Sequence, residues 1–349
     1  MKMFRIICFL LILATAASSC QRRPFSENTT AVKMMLNIRT EVVHGNAGNL
    51  PEMMRIDLYD TETGKVAYTD YISPEGGYIY PRPGTYDLLV YNIDTESTLV
   101  RNTDNLSTVE AYTNEVSAYI KSQMESFLKS RVEQRKQMAA EAAAAEAGRS
   151  GDSKTKNPAT KDPIIEGTER IVNEPDYLWV GELDNFEIPA VDLGYDREIR
   201  VEVDAESVVE TWKINVSPVE GLQWVSSITA LITGQAESTY IGKKLDSEGV
   251  ATVYFEMGKD EENGVITGSF NTFGKNPLYS SFLSLDLNII DNAGKQHHYH
   301  FDLTDQFFDN DEYYLEVEKP IVIEEPKVSG GGFAPSVGDW EDVQTDIEL

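Results

Sequence analysis

The sequence predicts a mainly β protein, with two tandem β-sandwich domains separated by one long helix. Three observations predict it. Residues 31–103 alternate apolar and polar side chains in short runs broken by turn residues. Residues 107–147 switch to helical spacing, and residues 164–323 return to alternation with turn signals between the runs. Several short period-two segments at regular spacing are the signature of sandwiches, because each strand buries only one face.

The chain opens with Lys2 and Arg5, an apolar run from Ile6 to Leu13, and then Ala17-Ser18-Ser19-Cys20. The run is too short for a stable membrane-spanning helix, which needs about 20 apolar residues, but it suits the core of a signal peptide. Small residues directly before a cysteine resemble the bacterial lipobox, in which the cysteine sulfur takes a lipid and becomes the first residue after cleavage. Residues 1–19 are therefore expected to be a signal peptide, Cys20 the lipidated residue and residues 20–30 a polar tether. The only other cysteine, Cys8, leaves with the signal. One remaining thiol has no internal disulfide partner, and lipidation accounts for it.

In residues 31–106 the first strand is carried by Val32, Met34, Leu36 and Ile38. Ile56 and Leu58, the turn Asp60 to Gly64, and Val66 to Ile72 read as a hairpin. Pro74 to Pro83 reads as a connection, and Tyr86 to Tyr91 as another strand. Residues 107–163 read as a helix and polar linker. Ser107 to Glu110 has capping-box spacing, and Val116, Tyr119, Ile120, Met124, Phe127 and Leu128 form one apolar face. From Lys121 to Lys161 there are nine Lys or Arg against five Asp or Glu. This basic stretch is either a docking arm for an anionic partner or, as is usual for charge runs, a solvated connector.

Residues 164–323 read as the second sandwich domain, with strands at Ile199–Val203, Val209–Ser217, Trp224–Ile232, Val250–Glu256, Ile266–Phe270, Phe282–Ile290, His297–Leu303 and Tyr313–Val317. The tail, residues 324–349, carries Trp340 and then Val343, Thr345, Ile347 and Leu349 at period two. It reads as a terminal strand able to pair with another sheet edge.

The formal net charge of −28 becomes more negative once Lys2 and Arg5 are gone, which opposes binding to nucleic acid. No phosphate-cradling loop, zinc spacing or nucleophile elbow is present. His298 and His300 share a strand face with Asp302 and are weak metal candidates; the ordinary reading is a polar, solvent-facing strand face. Trp179, Trp212, Trp224 and Trp340 could stack on sugars, although core packing is the simpler role. No cofactor is expected beyond the covalent lipid on Cys20.

The runs Tyr86 to Glu96, Glu110 to Val116, Glu174 to Gly181, and Gly331-Gly332-Phe333 with Trp340 to Val343 add a family signature. With the lipobox they resemble a family of Bacteroidota lipoproteins without an assigned activity, similar in layout to fimbrillins and fimbrial anchor proteins. The resemblance implies sandwich domains of transthyretin-like, fimbrillin type. It also implies lipid anchoring at the outer membrane, with the cell surface favoured, and a structural, non-enzymatic role as fimbrial subunit, anchor or adhesin. Partners would be the membrane, through the lipid, and fimbrial subunits or other envelope proteins. Polymerising fimbrillins lose a first strand to an arginine-specific protease, and Arg39 before Thr40 is the matching candidate here. The contact strand would be Trp340, Val343, Ile347 and Leu349. The alternatives are a glycan-binding lipoprotein using exposed aromatics and, last, a hydrolase.

Overall fold

The computed structural model describes residues 29–326, except 40, 43–44, 47–49, 148–161, 190–198, 277–282, 308–309 and 311. Its strands, in chain order, are β1 (Val32–Ile38), β2 (Glu41–Val42), β3 (Gly45–Asn46), β4 (Met54–Asp60), β5 (Val66–Ile72), β6 (Gly77–Ile79), β7 (Gly84–Asn92), β8 (Thr98–Arg101), β9 (Glu110–Thr113), β10 (Arg170–Asn173) and β11 (Trp179–Ile188). They continue with β12 (Ile199–Ser207), β13 (Glu210–Glu220), β14 (Val225–Ala236), β15 (Ser238–Tyr240), β16 (Leu245–Asp246), β17 (Val250–Glu256), β18 (Gly258–Asp260), β19 (Val265–Thr272), β20 (Ser284–Asp291), β21 (Gln296–Asp302) and β22 (Tyr314–Val322). Helices cover Ala118–Gln123, Glu125–Ala147, Pro163–Glu166 and Thr304–Phe307.

The chain forms two β-rich units, but their segments interleave instead of following one another. The first contains residues up to Asn114, then Pro175–Glu210 and Ala236–Gly249; the second contains Glu115–Glu174, Thr211–Gln235 and Val250 onward. The sequential boundaries expected at 31–106 and 164–323 therefore differ from the units formed. The reason is strand pairing. β12 lies parallel to β1, with Val32 opposite Ile199 and Ile38 opposite Ala205. β11 lies antiparallel to β7, with Val180 opposite Tyr91.

The first unit is built on a seven-stranded sheet in the order β5-β4-β7-β11-β12-β1-β6. Its two edge strands, β5 and β6, are joined by a turn in which Ser73 and Gly76 bridge. Two opposite edges linked by so short a turn require the sheet to curl around its own core. That core takes one face of each strand: Val32, Met34 and Leu36 of β1, Ile56 and Leu58 of β4, Leu88 and Val90 of β7, and Val201 and Val203 of β12. Each such buried side chain contributes about 1.5–3 kcal/mol relative to exposure. Gly181 lets β11 approach β12, since a β-carbon there would lie 2.8 Å from the Asp204 carbonyl oxygen. A second sheet, β16-β15-β9-β8, completes this unit.

In the second unit the sheets β10-β17-β14-β20-β21 and β18-β19-β13-β22 share one core. Ile228, Ala230 and Ile232 of β14 and Leu285, Leu287 and Ile289 of β20 enter it from one sheet, and Trp212, Ile214 and Val216 of β13 from the other. Leu231 points to the opposite face of β14, where it packs with Val116, Met124, Phe127 and Ile171. The helices therefore cover the outer face of the five-stranded sheet.

Two local expectations are corrected. Ser107 to Glu110 does not begin the helix: Leu106–Thr108 is a single 3₁₀ turn, and Glu110 opens β9. The helical cap is Ser117, whose side chain accepts from the Ile120 amide at 3.2 Å. The Pro74–Pro83 connection contains β6, a strand too short to show periodicity.

Candidate functional site

The apolar stripe of the helix fades after Leu128, yet the helix stays attached through charge. Arg131 is fully buried. Its Nε donates to Asp286 Oδ2 at 2.9 Å, and its two terminal nitrogens donate to the two oxygens of Glu169, each at 3.0 Å. Thr252 also donates to Glu169, and His300 Nδ1 lies 2.6 Å from Asp286 Oδ1. Burial alone would raise the Asp286 carboxyl, but the Arg131 guanidinium and the His300 ring outweigh it and hold it below its ordinary range. One turn further, Arg135 Nε pairs with Asp162 at 3.2 Å. Asp162 in turn caps the Pro163–Glu166 helix through the Ile164 amide at 3.0 Å.

This changes the reading of the basic stretch. Arg131 and Arg135 are consumed inside the fold, and Lys121, Lys129 and Lys136 pair with Glu115, Glu125 and Glu133. Its described part offers little uncompensated charge to an anionic partner.

The histidine-bearing strand is likewise covered by the helix instead of facing solvent. Phe127 packs on His298 with ring centroids 5.1 Å apart. That burial, with His297 adjacent, pushes the His298 ring below its ordinary range. Asp302, the third member of the set, accepts from the Thr304 amide at 2.9 Å. The three thus serve three different contacts. Among the described residues, no group of three or more His, Cys, Asp or Glu could hold a metal ion.

Arg39 directly follows β1, on the surface. Its amide donates to the Ala205 carbonyl at 2.9 Å, and its carbonyl accepts from Trp179 Nε1 at 3.2 Å. Its side chain, 59% exposed, pairs with Glu206 and reaches Asp204 at 3.7 Å. Trp179 and Trp212 are buried, and Trp224 packs on the second core. Cys20, Trp340, Val343, Ile347 and Leu349 lie outside the described residues.

Two charged clusters had no sequence signal, because each draws members from more than one strand. In the first, Asp57 is wholly buried and accepts from Arg55 Nε at 2.9 Å, Thr69 at 2.6 Å and Tyr91 at 3.1 Å. Burial, then the Asp57 charge, pushes the Tyr91 phenol far above the ordinary tyrosine range. In the second, on the sheet β16-β15-β9-β8, Arg101 donates twice to Glu110, at 2.7 and 2.8 Å, and Ser238 donates to the same carboxylate. The Arg101 hydrogen bonds hold Glu110 below its ordinary range.

Known proteins place these features in context. A family profile described as a domain of unknown function, DUF5119, matches residues 19–256. A Bacteroides ovatus protein described as a candidate fimbrium anchoring subunit, Fim4B, is 24% identical over 267 residues. The match covers 76% of this chain and 64% of that relative, so the chain spans less than two thirds of its length. The solved structure of a candidate adhesin from Bacteroides ovatus aligns with a TM-score of 0.58 at 21% identity, over 88% of this chain and 98% of that one. The fimbrial anchor protein Mfa2 from Porphyromonas gingivalis aligns at a TM-score of 0.44 and 9% identity, over 84% and 90% of the two chains.

Proposed function

We propose that this chain, which belongs to the DUF5119 family, is a lipid-anchored, non-enzymatic protein of the cell envelope that holds fimbriae to the outer membrane. The observation that carries the reading is the 267-residue similarity to a candidate fimbrium anchoring subunit. The adhesin-like fold supports it. So does the start of the family match at residue 19, next to Cys20. No helix among the described residues is long and apolar enough to cross a membrane. A lipid on Cys20 would supply the attachment, and the chain's strand edges, with the terminal segment Trp340 to Leu349, would supply contacts to fimbrial subunits. Arg39 remains the candidate processing site if the first strand is trimmed.

Two experiments test the reading. Metabolic labelling with an alkynyl fatty acid should mark the wild-type chain and miss Cys20→Ala, which should also leave the membrane fraction. Crosslinking of intact cells followed by mass spectrometry should recover fimbrial subunits. Label retained on Cys20→Ala, or crosslinks to no envelope protein, would sink the proposal. The glycan reading that rested on tryptophans loses ground, since Trp179 and Trp212 are core residues.

A further inference from the structure

The outward face of the sheet β16-β15-β9-β8 holds a cavity of about 570 Å³, within the range of about 300–1,000 Å³ usual for small-ligand pockets. Its floor is one row across four strands. Arg101 stands opposite Glu110. The pairing of Ser238 with Tyr112 and Thr239 with Ala111 brings Tyr240 alongside Glu110. Leu245 stands opposite Tyr240. Directly opposed residues share a face, so a guanidinium, a carboxylate, a phenol ring and an aliphatic side chain lie side by side.

The row is rigid. Glu110 is gripped by Arg101 and Ser238, and the Arg101 guanidinium stacks 4.5 Å from the Tyr112 ring centre. At the rim, the Lys243 amide donates to the Tyr240 carbonyl at 3.0 Å, and Gly242 is pressed against the Leu106 carbonyl, where a β-carbon would lie 2.2 Å from the oxygen. Arg101 spends two of its N–H donors on Glu110; a guanidinium has five.

We infer that this cavity binds a short neutral saccharide. Around the row, the cavity lining adds Lys243 as a donor beside Arg101 and, from positions outside the row, Asp246 and Glu248 as acceptors; a hydroxyl group both donates and accepts. Tyr240 and Leu245, which is 59% exposed, offer a narrow apolar strip for the C–H face of a sugar ring. An apolar ligand would leave the charged groups unsatisfied. An anionic ligand would meet four carboxylates, Glu110, Glu237, Asp246 and Glu248, against two cations, Arg101 and Lys243. The inference does not rest on the lipid on Cys20 or on fimbrial contact.

The test is a glycan array probed with the full-length chain in detergent, carrying neutral hexose and N-acetylhexosamine oligosaccharides beside sialylated and sulfated ones. Dissociation constants for the best ligand are then measured by calorimetry. Neutral glycans should bind. Tyr240→Ala and Lys243→Ala should each weaken binding about tenfold, while Tyr71→Ala, at an exposed tyrosine outside the cavity, should not. Lys243 is exposed, so its replacement reads out binding even if Tyr240→Ala unfolds the sheet. Three results would each overturn the inference: no neutral glycan bound at millimolar concentration, preference for the anionic glycans, or wild-type affinity in both cavity variants.

Discussion

Arg131 and Asp286 are 155 residues apart in sequence and 2.9 Å apart in the fold, and both side chains are almost completely buried. A buried ion pair adds little net stability compared with a well-packed apolar substitute, but removing one partner leaves an uncompensated charge. Here one cation answers two carboxylates, Asp286 and Glu169.

Arg131→Met should therefore destabilise the protein by about 3–5 kcal/mol, read from denaturant unfolding. Lys129→Met, which breaks an exposed pair with Glu125 on the same helix, should leave the midpoint unchanged. Equal effects of the two replacements would show that Arg131 is no anchor.

Acid should release the same contact. The Asp286 carboxyl titrates lower in the fold than in the unfolded chain, where an aspartate titrates near 3.9. Its contribution to stability is therefore full above about pH 4 and declines as pH falls toward the folded value. Unfolding midpoints measured between about pH 3 and 6 should drop at the acid end. The drop should shrink in Arg131→Met, because burial then dominates and acid relieves it.

Asp57 gives an internal comparison in the other unit. Tyr91→Phe removes one hydrogen bond to a buried carboxylate and should cost about 1.5–3 kcal/mol. Asp57→Ala removes the acceptor of Arg55, Thr69 and Tyr91 together and should cost more than Tyr91→Phe. The reverse order in equilibrium unfolding would show that the carboxylate is not the centre of the cluster.

Two glycines separate backbone strain from packing. Gly221 (φ +82°) has the Ile323 carbonyl oxygen 2.0 Å from where a β-carbon would sit, whereas Gly167 (φ +71°) has nothing within 4 Å. Gly167→Ala should cost only the left-handed backbone penalty of about 1–2 kcal/mol. Gly221→Ala should exceed it, since the strand end at Ile323 must move. Similar midpoint shifts for the two would deny the close approach.

Much of the strand inventory was legible, because period two survives wherever one face is buried. Val32–Ile38 and Val66–Ile72 form as read, as does the hairpin of β4 and β5. The same rule misled at β21. His298 and His300 alternate with Tyr299 and Phe301 and read as a solvent-facing set, but the helix packs on them through Phe127 and through Arg131, which shares Asp286 with His300. The capping-box spacing at Ser107 to Glu110 failed for a related reason: Glu110 was already engaged by Arg101 on the neighbouring strand.

The sequence by itself determined the β class and the presence of a helical segment with an apolar start between the two stretches of strands. These depend on neighbours a few residues apart, where chain geometry sets the pattern. Tertiary structure decided which unit β11 and β12 join, that Arg131 and Arg135 hold the helix down, and that Arg101, Glu110 and Tyr240 form one row. Those outcomes depend on pairings across nine to more than a hundred residues. Desolvation and hydrogen-bond geometry select such partners only after the sheets have formed.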